Sequence, residues 1–149
     1  MEKLKFILPS AEMKPAAEAF RRVFIDSGEK HIAGMPNSNI EDFSQWLESL
    51  RRGGSTTWLV FKRPNNKLVG VVNIKHTLSE NGHITCSVRP DERGKGYGTE
   101  ILRLALDRAR ELGVVEAEIV CPAGNAAARK IIRRNGLEKV DGSVYRKIL

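Results

Sequence analysis

Cysteine and histidine are scarce: two of one and three of the other in 149 residues. None of the five falls in a metal-ligand spacing, which argues against a bound metal. Cys86 and Cys121 both lie inside apolar strand candidates. They are expected to be small core residues in a reduced, cytoplasmic setting. Long apolar runs are also missing. Phe6 to Leu8 is too short for a signal-peptide core, and nothing reaches the length of a membrane span. No membrane partner is therefore predicted. Basic residues outnumber acidic ones, giving a net charge of +7, but they are not gathered. Residues 1–85 hold 12 basic and 9 acidic side chains, and residues 86–149 hold 13 and 9. Without a basic tail, or a basic stripe interleaved with aromatics, nucleic acid is not an expected partner. The excess favours an anionic ligand through long-range attraction. Repeats, linkers and low-complexity tracts are absent, and the length suits one domain over 1–149.

The most informative segment runs from Val88 to Thr99. A β-branched strand end enters Arg89-Pro90-Asp91-Glu92-Arg93, then Gly94-Lys95-Gly96-Tyr97-Gly98-Thr99 opens an amphipathic helix. Glycines let a ligand approach the main chain, and unpaired N–H groups at a helix start attract anions. Arg93 and Lys95 add positive charge. The pattern points to a phosphate-bearing ligand. It is not a Walker A loop, because no glycine is followed by Lys-Ser or Lys-Thr. Nor is it a dinucleotide fingerprint, because Thr99 stands where the third glycine would fall.

Arg93-Gly94-Lys95-Gly96-Tyr97-Gly98 does fit R-x-x-G-x-G, which resembles the acyl-CoA loop of the GCN5-related N-acetyltransferase (GNAT) superfamily. A second segment, Asn125 to Leu137, resembles the family's N-x-x-A-x-x-x-Y-x-x-x-G-F. The resemblance is strong from about Lys67 to Leu137 and weaker before it. It implies transfer of an acetyl group from acetyl-CoA, the co-substrate, to a primary amine of a small molecule or a peptide. A homodimer is left open. In one respect the chain departs from the pattern: Ile132 stands where the family often has a tyrosine acid. A non-catalytic acyl-CoA-binding module is the alternative that this departure suggests.

Hydrophobic spacing and turn residues predict the order β-α-α-β-β-β-α-β-α-β-β. The strands are read at Leu4 to Leu8, Thr56 to Phe61, Leu68 to Leu78, His83 to Val88, Val114 to Val120, and a hairpin around Asp141-Gly142. Helices are read from Pro15 to Ser27, from an Asn39 cap with Glu41 and Asp42 in its first turn, from Tyr97 to Leu112, and from Asn125 to Asn135. This is an α+β domain with a mixed, mostly antiparallel sheet and about four helices. The resemblance further implies that the sheet splays after its fourth strand and admits the cofactor there.

The candidate cofactor residues are Ser87, Val88, Arg93, Gly94, Lys95, Gly96, Tyr97, Gly98, Thr99, Asn125, Ala128 and Lys130. By resemblance, the pantetheine arm runs beside Cys86, Ser87 and Val88, and the Val88 N–H polarises the thioester carbonyl. Arg129 is a further candidate for the ribose phosphate, whereas Arg133 and Arg134 read as a solvated helix end. An amine of lysine type is only about one part in 10³ neutral at pH 7, so a base is useful. His83, with a well-matched ordinary pKa, is the candidate base. Glu80, His76 and Asn73 are weaker candidates. Tyr97 and Tyr145 are alternative acids.

Overall fold

The computed structural model describes residues 3–29, 31–35, 43–79 and 82–149. Asn39, Glu41, Asp42 and Glu80 lie outside them. The strands are β1 (Leu4–Ile7), β2 (Ser55–Lys62), β3 (Lys67–Lys75), β4 (Ile84–Val88), β5 (Glu116–Val120), β6 (Glu138–Asp141) and β7 (Val144–Ile148). The helices are α1 (Lys14–Asp26), α2 (Phe43–Ser49), α3 (Tyr97–Glu111) and α4 (Ala126–Arg134). This is the predicted order of elements.

The strands form two antiparallel sheets, ordered β1-β2-β3-β4 and β5-β7-β6, so the sheet expected to splay is divided into two. The break falls after β4. Among the described residues, the two sheets are joined by one bridge, Gly82 to Ile119, and the His83 N–H donates to the Glu118 carbonyl at 2.7 Å. Gly82 has φ +79°, and a Cβ there would lie 2.6 Å from the Glu118 oxygen. Only glycine satisfies both conditions at this point of closest approach.

The first sheet is buried on both faces, which explains the unbroken apolar run Trp58-Leu59-Val60-Phe61 in β2. Trp58 and Val60 join the core under α3, with Val72, Ile74, Ile101, Leu102 and Ala105. Leu59 and Phe61 turn to the other core, with Phe20 and Phe24 of α1 and Phe43 of α2. The buried stripe of α1 is Ala17, Phe20 and Phe24, while Ala19 is exposed. The β2–β3 ladder has a register shift between Val60 and Phe61, which lie opposite Gly70 and Leu68. A Cβ on Gly70 would lie 2.9 Å from both Ile101 Cδ1 and the Ser87 carbonyl oxygen. The bare backbone there lets α3 settle close on the sheet.

Candidate active site

The glycine loop leaves β4 through a 3₁₀ turn at Pro90–Glu92 and enters α3 with Gly96 as N-cap, in the left-handed conformation. No side chain caps α3. The N–H groups of its first turn are thus left for an anion. They open onto a cavity of about 500 Å³ lined by Arg93, Gly94, Gly96, Gly98 and Thr99 from this loop and by Asn125, Ala127, Ala128, Lys130, Ile131 and Arg134 from α4 and its cap.

A second cavity of about 220 Å³ continues between the sheets. Ile84, Cys86 and Val88 of β4 line one side of it, and Ile119, Val120 and Cys121 the other. The two cavities share Cys86, Val88, Gly98, Asn125, Ala128 and Ile131. Main-chain polarity follows from the ladder. The Arg89 N–H donates to the Val69 carbonyl and the Lys75 N–H to the His83 carbonyl, so the odd-numbered peptides of β4 face β3. By strand alternation, the N–H groups of Cys86 and Val88 point into the split.

Several predicted residues converge here, with different uses from those expected. Ser87 is turned away: its hydroxyl donates to the Ala33 carbonyl at 3.0 Å and fastens the 31–35 segment to β4. The Tyr97 side chain is core, 5% exposed, with the Lys62 ammonium 5.5 Å above its ring; only its main chain serves the loop. Lys95 donates to Glu92 at 3.0 Å and does not line the cavity. Arg93 lines it while making a bidentate pair with Glu29 at 2.7 and 2.9 Å, and its Nε donates to the Val88 carbonyl at 3.0 Å. Asn125 caps α4 by accepting the Ala128 N–H at 3.1 Å.

His83 is 9% exposed, and its Nδ1 accepts the Glu118 N–H at 3.1 Å. A main-chain amide only donates, so the neutral ring carries its proton on Nε2 and has no free lone pair. The lone pair that a base at His83 would use is engaged by this N–H, and the residue stitches the two sheets together. Asn73 and His76, two of the weaker candidates, are also committed. Asn73 donates to the Ser55 and Thr57 hydroxyls, and His76 Nε2 lies 2.7 Å from the Thr56 hydroxyl. Tyr145 is buried in the core at 1% exposure.

Ile132, 4% exposed, lines the split and presents no hydroxyl. Arg129 donates to the Ala123 carbonyl. Arg134 is exposed, as expected of a solvated helix end, and it also lines the cavity beside Lys130, one helical turn earlier on the same face. Asn135 was not singled out, yet its amide donates to the Thr99 and Ile131 carbonyls at 3.1 and 3.0 Å and ties the start of α3 to α4. Burial pushes the Cys86 thiol up to about 12 and raises that of Cys121, against the pull of the Arg129 charge. Among the described residues there is no His, Cys, Asp and Glu group that could hold a metal.

The model of the acetyltransferase (GNAT) domain matches residues 13–138. The chain belongs to this family. L-Methionine sulfoximine/L-methionine sulfone acetyltransferase of Pseudomonas aeruginosa is 41% identical over 51 residues, which are 34% of this chain and 30% of that protein. Two solved structures share the fold over nearly their whole length. One is the microcin C7 self-immunity acetyltransferase MccE with acetyl-CoA and AMP, with TM-score 0.77, 15% identity and coverage of 100% of this chain and 94% of that one. The other is RimL, a ribosomal L7/L12 α-N-protein acetyltransferase, with coenzyme A; its TM-score is 0.76, identity 17% and coverage 98% and 94%. Both were solved with the cofactor or its product bound.

Proposed function

We propose that this GNAT protein transfers an acetyl group from acetyl-CoA to a primary amine. The observation that carries the reading is the continuity of the two cavities. An uncapped helix start opens one, and outward N–H groups of a strand edge line the other. The diphosphate rests on the N–H groups of Gly94 to Thr99, with Lys130, Arg134 and Arg93 beside it. The pantetheine arm lies in the split against Cys86 and Val88.

Reaction then needs little from side chains. The neutral amine attacks the thioester carbonyl, and the Val88 N–H donates to the oxyanion. Losing such a donor typically costs about 3–4 kcal/mol of barrier. The tetrahedral intermediate expels the thiolate, whose conjugate thiol has a pKa near 8.5, so no acid is obligatory at Ile132. The amine's proton passes to water. The acceptor is a small molecule or a peptide terminus, as the relatives' substrates suggest.

The test is an acceptor screen with acetyl-CoA, followed by release of free thiol. It should include methionine sulfone, polyamines and peptide N-termini. Thiol release with at least one amine is expected. Cofactor binding without release on any amine would make the protein a binding module, and no cofactor binding would overturn the reading altogether.

A further inference from the structure

Behind the glycine loop, on the side away from the cavity, lies a cluster that the chemistry above does not use. Glu92 is 1% exposed. Its carboxylate accepts from Lys62 at 3.0 and 3.3 Å, from Lys67 at 2.9 Å and from Lys95 at 3.0 Å. The lysines come from three places: the end of β2, the start of β3 and the glycine loop itself. Lys62 and Lys67 are the last cross-strand pair of that hairpin. Asp91 adds contacts to Arg89 at 2.9 Å and Lys67 at 3.9 Å. None of Glu92, Lys62, Lys67 or Lys95 lines the cavity.

We propose that Glu92 is a positioning residue for the cofactor's diphosphate: by clamping the β2–β3 hairpin end and Lys95 together, it fixes the N–H groups of Gly94, Gly96 and Gly98 at the spacing the phosphates need. This rests on the reading that the diphosphate sits on the loop. Local geometry supports a mechanical role. Glu92 precedes Arg93 and Gly94 directly, and Lys95 follows at once, so the carboxylate grips the loop on both sides of Gly94. A buried carboxylate with three ammonium partners is held far more firmly than an exposed pair.

Charge and position make opposite forecasts here, so the sign of one measurement decides between them. Glu92 is an anion beneath an anion site. On charge alone, Glu92→Gln should tighten coenzyme A binding. If Glu92 sets the loop, Glu92→Gln should weaken it, by about tenfold for one well-aimed charge-assisted hydrogen bond lost.

The experiment measures coenzyme A affinity by calorimetry, and turnover with acetyl-CoA and with S-acetylpantetheine, which has no diphosphate. Wild type, Glu92→Gln and the double variant Glu92→Gln/Lys62→Met are compared. The double variant also removes the buried ammonium that loses its carboxylate in the single one, and keeps the test alive if the single variant unfolds. Expected are weaker coenzyme A binding and a fall in kcat/KM for acetyl-CoA, carried by KM, with the S-acetylpantetheine rate nearly unchanged. Tighter or unchanged coenzyme A binding overturns the proposal. An equal loss with both donors also overturns it, because that is the mark of a purely structural residue. If wild type itself fails to bind coenzyme A, the diphosphate reading has failed before Glu92 is tested.

Discussion

The Nδ1 atom of His83 accepts the main-chain N–H of Glu118 at 3.1 Å, while the His83 N–H donates to the Glu118 carbonyl at 2.7 Å. The residue that precedes β4 thus satisfies both main-chain groups of one residue of β5. The split between β4 and β5 starts at this double contact, so its mouth is set by a pair 35 positions apart in sequence.

A prediction follows for His83→Ala. The variant leaves the Glu118 N–H without its acceptor, a cost of about 1–3 kcal/mol. Denaturant unfolding should show that loss. With its lone pair held by the Glu118 N–H, the imidazole is not expected to act as the base, so the acidic limb of the kcat/KM profile should keep its midpoint. A limb that moves or vanishes in the variant, with folding intact, would restore His83 to proton transfer.

Acid should act on the lysine cluster. Burial alone would raise the Glu92 carboxyl, but hydrogen bonds from Lys67, Lys95 and Lys62 outweigh it and hold the group at about 2, against an ordinary 4.5. A carboxyl lowered on folding contributes stability that is complete above its unfolded pKa and is lost as pH falls toward the folded one. The contribution is therefore full above about 4.5 and drains away between there and about 2. Thermal midpoints of wild type and Glu92→Gln, measured from pH 7 down to 3, should converge as the pH drops below this upper bound. A gap that stays constant would show that the carboxylate is not the stabilising form.

The two thiols should be inert in the folded protein. With Cys86 pushed up to about 12 and Cys121 also raised, the thiolate fraction at pH 8 is small for both. Mass spectrometry after iodoacetamide treatment should find both residues unmodified until denaturant is added. Rapid labelling of either in the native state would contradict this.

What the sequence made legible was local. The glycine loop, the start of α3 and the place of Ile132 on the channel wall are all carried by residues close together in the chain. Facing was harder. Alternation along β4 already implies that if Cys86 and Val88 turn to the split, Ser87 turns away, and that signal went unused. Arg134 stands four residues from Lys130 and so shares its helix face, a second unused signal. The roles of His83, Glu92 and Lys95 were out of reach. Each depends on a partner that only the fold delivers: Glu118 for His83, and the Lys62–Lys67 hairpin end for the acidic anchor. The facing of the Tyr97 side chain was also out of reach, because a residue between two glycines can face either a ligand or the core, and nothing nearby in the chain decides which.

Gly70 lines neither cavity, yet it governs where cavity-facing atoms stand. A fifteen-residue helix is about 22 Å long at 1.5 Å per residue. Ile101, which packs over Gly70, lies within a turn and a half of its first residue. A methyl group on Gly70 would act as a wedge under the near end of a long lever. It would lift the first turn off the sheet and swing its N–H groups away from the split. The aim of the anion site is thus inherited from a strand residue some thirty positions earlier, whose own contribution is to take up no room.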